Sequence, residues 1–168
     1  MTVMDTTDIT HLQRCLQLAQ RARAGGDQPF GSLVVSGDRM VAESLNSVVT
    51  AKDCTGHPEL DLARWAYRNL APPDRETATM YTSCEHCAMC SGAFFWSGLG
   101  RLVFALSGEQ LRSLQHEAGV HPPTMELSSR EVLARGNRPI TVDGPCDELY
   151  DEATAVHAGY WEALARPA

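Results

Sequence analysis

The chain has 168 residues, 43% of them hydrophobic, and a net charge of −7 from 14 basic and 21 acidic residues, the size and composition of one globular domain. Lys52 is its single lysine and no basic run occurs, which argues against nucleic acid as a long polyanionic partner. No stretch approaches the ~20 apolar residues that cross a bilayer, so no membrane partner is expected.

The start of the chain, Met1 to Asp8, lacks the basic beginning and apolar run of a secretory signal. The expectation is therefore a cytoplasmic protein. Apolar Ile9, Leu12, Leu16 and Ala19 recur at helical spacing, and Gly25-Gly26 stops that helix. Residues 31–36 and 39–45 read as two strands around a Gly37-Asp38 turn. Residues 46–56 form a loop. Pro58 suits the first turn of a helix, where its missing N–H costs nothing. That helix runs to about Asn69 or Leu70, because Pro72-Pro73 cannot continue it.

A strand over 78–82, a helix from near Cys87 to about Gly98 and a strand over 101–105 follow. Residues 108–116 read as a helix, His121-Pro122-Pro123 as loop, 128–135 as a short helix and 139–142 as a fifth, edge strand. Leu149, Ala153, Val156, Tyr160 and Leu164 share one face of a single C-terminal helix. A hairpin followed by helical crossovers gives an α/β chain of three layers with a mixed sheet. Residues 1–168 are read as one domain.

Three of the six cysteines, Cys84, Cys87 and Cys90, fall within seven residues. Such a cluster reads as metal-binding or catalytic rather than as a disulfide framework; Cys15, Cys54 and Cys146 read as buried or idle thiols. Cys87 and Cys90, three apart on a helix, can point to one metal ion. A helix N-terminus favours their thiolate forms. With the imidazole of His57 they can hold Zn²⁺ on three sides, leaving one side open. Glu59, two residues from His57, can sit beside that open side. Coordination can lower the pKa of water from about 15.7 to ~7, on the order of 12 kcal/mol toward hydroxide.

Two other readings compete. A structural zinc site would close with a fourth protein ligand, which Cys84 or His86 could supply. A thiol oxidoreductase could use Cys84-Glu85-His86-Cys87, which follows a strand and opens a helix. The redox reading leaves Cys90 and His57-Pro58-Glu59 without a purpose.

His57-Pro58-Glu59 followed by Ser83-Cys84-Glu85-His86-Cys87-Ala88-Met89-Cys90-Ser91-Gly92-Ala93-Phe94-Phe95-Trp96 resembles the zinc-dependent cytidine deaminase-like superfamily. Its mark is His-x-Glu with a later Pro-Cys-x-x-Cys. Gln28-Pro29-Phe30-Gly31, Asn46 and the run from Thr82 to Cys90 are similar to the guanine deaminase and nucleobase deaminase branch. The likeness covers residues 9–106 and leaves 106–168 as a divergent C-terminal part. His86 stands where these families have proline, and Pro58 where alanine is common.

The resemblance implies a three-layer α/β/α cytidine deaminase-like fold with a five-stranded mixed sheet. It implies zinc on His57, Cys87 and Cys90, and Glu59 as general acid/base rather than ligand. By resemblance Asn46 touches the substrate, and Phe30 and Trp96 wall the pocket. The C-terminal helix closes the pocket in similar enzymes, although Tyr160 and Trp161 are read here as core packing. By the same resemblance an acidic residue after the fourth strand, or near the C-terminus, should read a purine; Glu109, Glu117, Asp147 and Glu148 are all open. The activity implied is hydrolytic removal of the exocyclic amine of a small heterocyclic substrate. Guanine comes first, with cytosine-like bases, triazines and modified bases behind it. Deamination of tRNA adenosine or a nucleoside is the rival within the superfamily, and a non-catalytic structural zinc domain the rival outside it. Similar enzymes imply a homodimer.

Overall fold

The computed structural model of the chain describes residues 4–165; residues 1–3, part of the stretch read as lacking a signal, and 166–168 lie outside the described residues. Helix α1 (Thr6–Ala24) starts at Asp5, whose carboxylate accepts the Asp8 N–H at 2.8 Å while Asp8 accepts the Asp5 N–H in return, so two end-group donors are satisfied together. Its Leu12, Leu16 and Ala19 are buried as the helical spacing requires. Strands β1 (Gly31–Ser36) and β2 (Arg39–Leu45) form the hairpin. A Cβ on Gly31 would lie 2.4 Å from the Leu18 Cβ; α1 and β1 approach closely only because residue 31 has no side chain.

Helix α2 (Pro58–Asn69) begins at its proline. The Pro72-Pro73 pair ends α2 and also opens a short helix, α3 (Pro72–Thr77), which the sequence reading lacked; prolines exclude a helix interior but suit a first turn. Then come β3 (Thr79–Cys84), α4 (Ala88–Ser97), β4 (Arg101–Leu106) and α5 (Gly108–Glu117). They are followed by α6 (Ser129–Leu133), β5 (Thr141–Asp143), a 3₁₀ turn (Asp147–Leu149), α7 (Tyr150–His157) and α8 (Tyr160–Ala165). The single C-terminal helix expected from the apolar spacing is thus broken between α7 and α8. Gly159 has φ +77° there, a left-handed conformation that interrupts the helix.

The sheet order is β2-β1-β3-β4-β5, with β1 antiparallel to β2 and β3, and β3, β4 and β5 parallel. Side chains alternate across it. Leu33, Tyr81 and Val103 join α1 and α7 in one core, with Leu111 and Leu114 of α5 against it. Val34, Met80 and Leu102 join Leu62 of α2, Phe94 of α4 and Leu133 of α6 in the other. The result is a five-stranded mixed sheet between two helical layers. Truncating the fully buried Phe94 to alanine would cost about 3–5 kcal/mol.

This topology builds one polar end. Because β1 runs antiparallel to β3, the start of β1 and the end of β2 reach the C-terminal end of β3. Phe30, Asn46 and Cys84 therefore meet outside the carboxyl ends of the parallel strands, where open α/β sheets place ligands.

Candidate active site

His57 is the N-cap residue of α2 and Cys87 that of α4, so two helix N-termini converge. The His57 Nδ1 lies 3.8 Å from the Cys87 Sγ and 3.6 Å from the Cys90 Sγ, and the three donor atoms fall within 4.8 Å of one another. Tetrahedral zinc, with Zn–S ~2.3 Å and Zn–N ~2.0–2.1 Å, sets neighbouring nitrogen and sulfur about 3.6 Å apart. The donor set fits the ion in chemistry and in spacing. Among the described residues the group contains neither Cys84 nor His86, so the fourth ligand of a closed site is not supplied by either. Cys90 is buried, His57 partly so, and Cys87 exposed; the trio opens outward.

Hydrogen bonding from Cys90 pulls the Cys87 thiol down to about 4, with His57 adding to the effect against partial burial. The same contact, burial and the charge of Glu59 push Cys90 above its ordinary value. The hydrogen bond to Cys87 raises His57. One thiolate is thus already favoured, and the protons left on Cys90 and His57 are those that metal binding would release. Burial drives the Cys84 thiol far up, opposite to what a redox-active thiolate needs.

Glu59 follows Pro58 in the first turn of α2 and is 5% exposed. Its Oε1 accepts the Thr82 hydroxyl at 3.1 Å, and Thr82 in turn accepts the Ser32 hydroxyl at 2.9 Å. Its Oε2 lies 3.7 Å from the Cys90 Sγ. Burial raises its pKa, against the opposing charge of His57. A carboxyl group moved upward next to a metal-type donor set is suited to taking and giving protons.

A cleft of about 670 Å³ opens over this centre. Asn46 sits in its wall: the Asn46 N–H donates to the Phe30 carbonyl at 3.1 Å, and Oδ1 accepts the Val48 N–H at 3.1 Å. The buried Asn46 Nδ2 has no partner. Phe30 lines the cleft as expected of a wall. Trp96 does not. It is 78% exposed and borders a surface groove between α2 and α4, beside Leu60 and Tyr67. At 100° per residue it lies about 200° round α4 from the buried Phe94, so this expectation is corrected by helix geometry.

The second aromatic wall is Trp161, which the sequence reading assigned to core packing; it is buried and still borders the cleft. Of the four acidic candidates, Glu109 lines the cleft; Glu117 borders a separate cavity, and Asp147 and Glu148 border neither. Glu126, from the loop before α6, joins Glu109. Glu85 has a different duty. Its Oε2 accepts the Gly108 N–H at 3.0 Å, and its Oε1 accepts the Ser129 N–H and hydroxyl at 2.9 and 2.7 Å. It ties the N-termini of α5 and α6 to the rim. Both helices were readable in the sequence, but nothing there pairs their starts with Glu85. His86 is buried at the cleft edge on, and edge-on to, Phe94 at 5.7 Å, with neither ring nitrogen partnered and burial pulling it down to about 3.

Comparison with known proteins agrees with this geometry. The family described as the cytidine and deoxycytidylate deaminase zinc-binding region matches residues 5–106. A protein of Schizosaccharomyces pombe, described as a probable cytosine deaminase, is 38% identical over 161 residues, 96% of each chain. The guanine deaminase of Bacillus subtilis is 38% identical over 89 residues, 52% of this chain and 57% of that one. More weakly similar relatives include bacterial tRNA-specific adenosine deaminases. The solved guanine deaminase of Nitrosomonas europaea superposes with a TM-score of 0.68 at 26% identity, covering 97% of this chain and 87% of that one.

Proposed function

This chain belongs to the cytidine and deoxycytidylate deaminase family, and from that premise we propose that it is a zinc-dependent hydrolase that deaminates a small free nucleobase. Water and the base give the oxo-base and ammonia. The observation that carries the reading is the buried Glu59 carboxyl, 3.7 Å from a sulfur of the His57–Cys87–Cys90 trio and facing the cleft.

His57, Cys87 and Cys90 would hold the zinc ion. Bound there, zinc supplies the Lewis acidity that makes water a nucleophile at neutral pH. Glu59 takes a proton from the attacking water and delivers it to a ring nitrogen. It then takes the proton of the added hydroxyl and passes it to the exocyclic nitrogen, so that the C=O forms as the C–N bond breaks and ammonia leaves. The Thr82 hydroxyl fixes the carboxylate rotamer for both transfers. Asn46 offers its unpartnered Nδ2 donor to the base edge, and Phe30 provides a flat apolar wall. Guanine is the first candidate substrate. Cytosine is the second, supported by the relative whose similarity runs through most of the part beyond residue 106.

The acidic balance and scattered arginines favour a free base over tRNA. No helix among the described residues is long and apolar enough to cross a membrane, which is consistent with the cytoplasmic location we assign. The reading includes a homodimer, with the exposed Trp96 and Tyr67 between α2 and α4 as the surface that suits a second copy; light scattering on Trp96→Arg should then give a monomer. The deciding experiment is ammonia release by zinc-loaded protein from guanine, cytosine and an adenosine-bearing tRNA anticodon stem. Turnover of a free base is expected; turnover of the RNA alone would overturn the substrate assignment.

A further inference from the structure

Trp161 borders two spaces at once. One is the cleft over the proposed zinc centre; the other is a cavity of about 340 Å³ behind it, bordered also by Leu114, Glu117, Asp151 and His157. The ring is only 4% exposed and packs edge-on to Tyr160 at 4.8 Å, but contacts of that kind do not fix its rotation in the wall. A directional contact supplies that.

His157 makes that contact. The Trp161 Nε1–H donates to the His157 Nδ1 at 3.2 Å, and the two rings lie within 10° of parallel with centroids 6.0 Å apart. Phe30 packs on both, at 5.5 Å from the imidazole and 6.4 Å from the indole. His157 is 3% exposed. Its backbone is anchored in turn, because Arg23 of α1 donates to the Val156 carbonyl at 2.9 Å. An imidazole accepts at only one nitrogen, and only when neutral. The indole N–H therefore assigns the proton of His157 to Nε2.

We infer that His157 is a positioning residue for substrate binding: its Nδ1 holds the Trp161 indole beside Phe30, so that two aromatic planes confine the heterocycle. Burial, helped by the charge of Arg23, pulls His157 down to about 4, so the acceptor is present at neutral pH. The inference rests on the nucleobase reading for its ligand. The contact between the two side chains stands apart from that reading.

The test uses zinc-loaded full-length protein and two substitutions. His157→Leu keeps apolar bulk and removes the acceptor, whereas His157→Asn puts an amide oxygen near the position of Nδ1. Hydrogen exchange of the Trp161 indole N–H is read by NMR, its resonance identified by its loss in Trp161→Phe. Kinetics on guanine and cytosine are measured in parallel. In His157→Leu the indole proton should exchange at least tenfold faster. KM should rise about tenfold, as expected for one lost hydrogen bond, with kcat within twofold. His157→Asn should restore both. If His157→Leu does not fold, Trp161→Phe, which keeps a ring and removes the donor, should give the same rise in KM.

Unchanged indole exchange, faster exchange with unchanged KM, or an equal loss of kcat in both substitutions would each overturn the inference. Failure of the nucleobase reading looks different: the wild-type protein would release no ammonia from any free base, while indole exchange would still report the His157–Trp161 contact.

Discussion

At the start of β4, Arg101 donates to both oxygens of Asp8 at 2.8 and 2.9 Å and to Asp143 at 2.9 Å, and the Tyr81 hydroxyl donates to Asp8 at 2.7 Å. At the opposite, carboxyl end of the parallel strands, the Asn46 Nδ2 and both ring nitrogens of His86 are buried with no partner. The first region spends its buried polarity on itself. Burial pushes the Asp8 carboxyl up, but hydrogen bonds from Arg101 and Tyr81 more than offset this and leave it below the usual carboxylate range. The second region keeps unmade hydrogen bonds, each costing about 1–3 kcal/mol until something completes it. At the Arg101 end the polar contacts hold the fold, whereas at the cleft the unpartnered Asn46 Nδ2 and His86 nitrogens are groups a ligand could meet.

The sharpest way to break this contrast is to exchange a charge for its neutral isostere at each end. Glu59→Gln should lower kcat by about 10²–10⁴ while leaving bound zinc unchanged by elemental analysis. Because burial raises the Glu59 pKa, ionised Glu59 costs the folded state above the ordinary glutamate pKa. The substitution should therefore leave the Tm of the metal-free protein at pH 7 equal or higher. A large fall in Tm would mean that Glu59 is structural.

Asp8→Asn should do the reverse. It removes one of the two carboxylates that Arg101 pairs with, leaving Asp143, and should cost about 1–3 kcal/mol in denaturant unfolding at pH 7, with kcat/KM unchanged. The Asp8 pKa is depressed in the folded state. Its stabilisation is therefore full above the unfolded value of about 3.9 and is lost as pH falls through the folded pKa. The gap between wild type and Asp8→Asn should close in acid. A gap that persists below both values would refute the ion-pair account.

Asn46→Ala should raise KM for the base about tenfold through one missing donor, with little change in Tm, since the Val48 N–H it releases is only half-buried. Trp96→Ala should have the smallest effect, changing kcat/KM per site less than twofold. A large effect there would return Trp96 to the pocket wall.

How much of this could be read from the chain depends on distance along it. His57 with Glu59 and Cys87 with Cys90 are each placed by one helical turn, so their chemistry was legible before any coordinates. The hairpin, the crossovers and the mixed sheet followed from periodicity and from prolines at helix starts. The two tryptophans were harder. Trp96 sits in the richest motif of the chain but on the wrong side of α4, while Trp161, 71 residues beyond Cys90, borders the cleft.

The sequence by itself determined the His57–Glu59 and Cys87–Cys90 pairs and the layered α/β architecture, because those rest on spacing within a turn or on a repeating pattern. Tertiary structure alone decided that Glu85 ties α5 to α6, that Glu109 rather than Glu117, Asp147 or Glu148 faces the cleft, and that His157 touches Trp161 beside Phe30. The physical reason is that side-chain direction at one element becomes meaningful only against a neighbour. Which neighbour that is depends on strand order and on where helices break, here at Gly159.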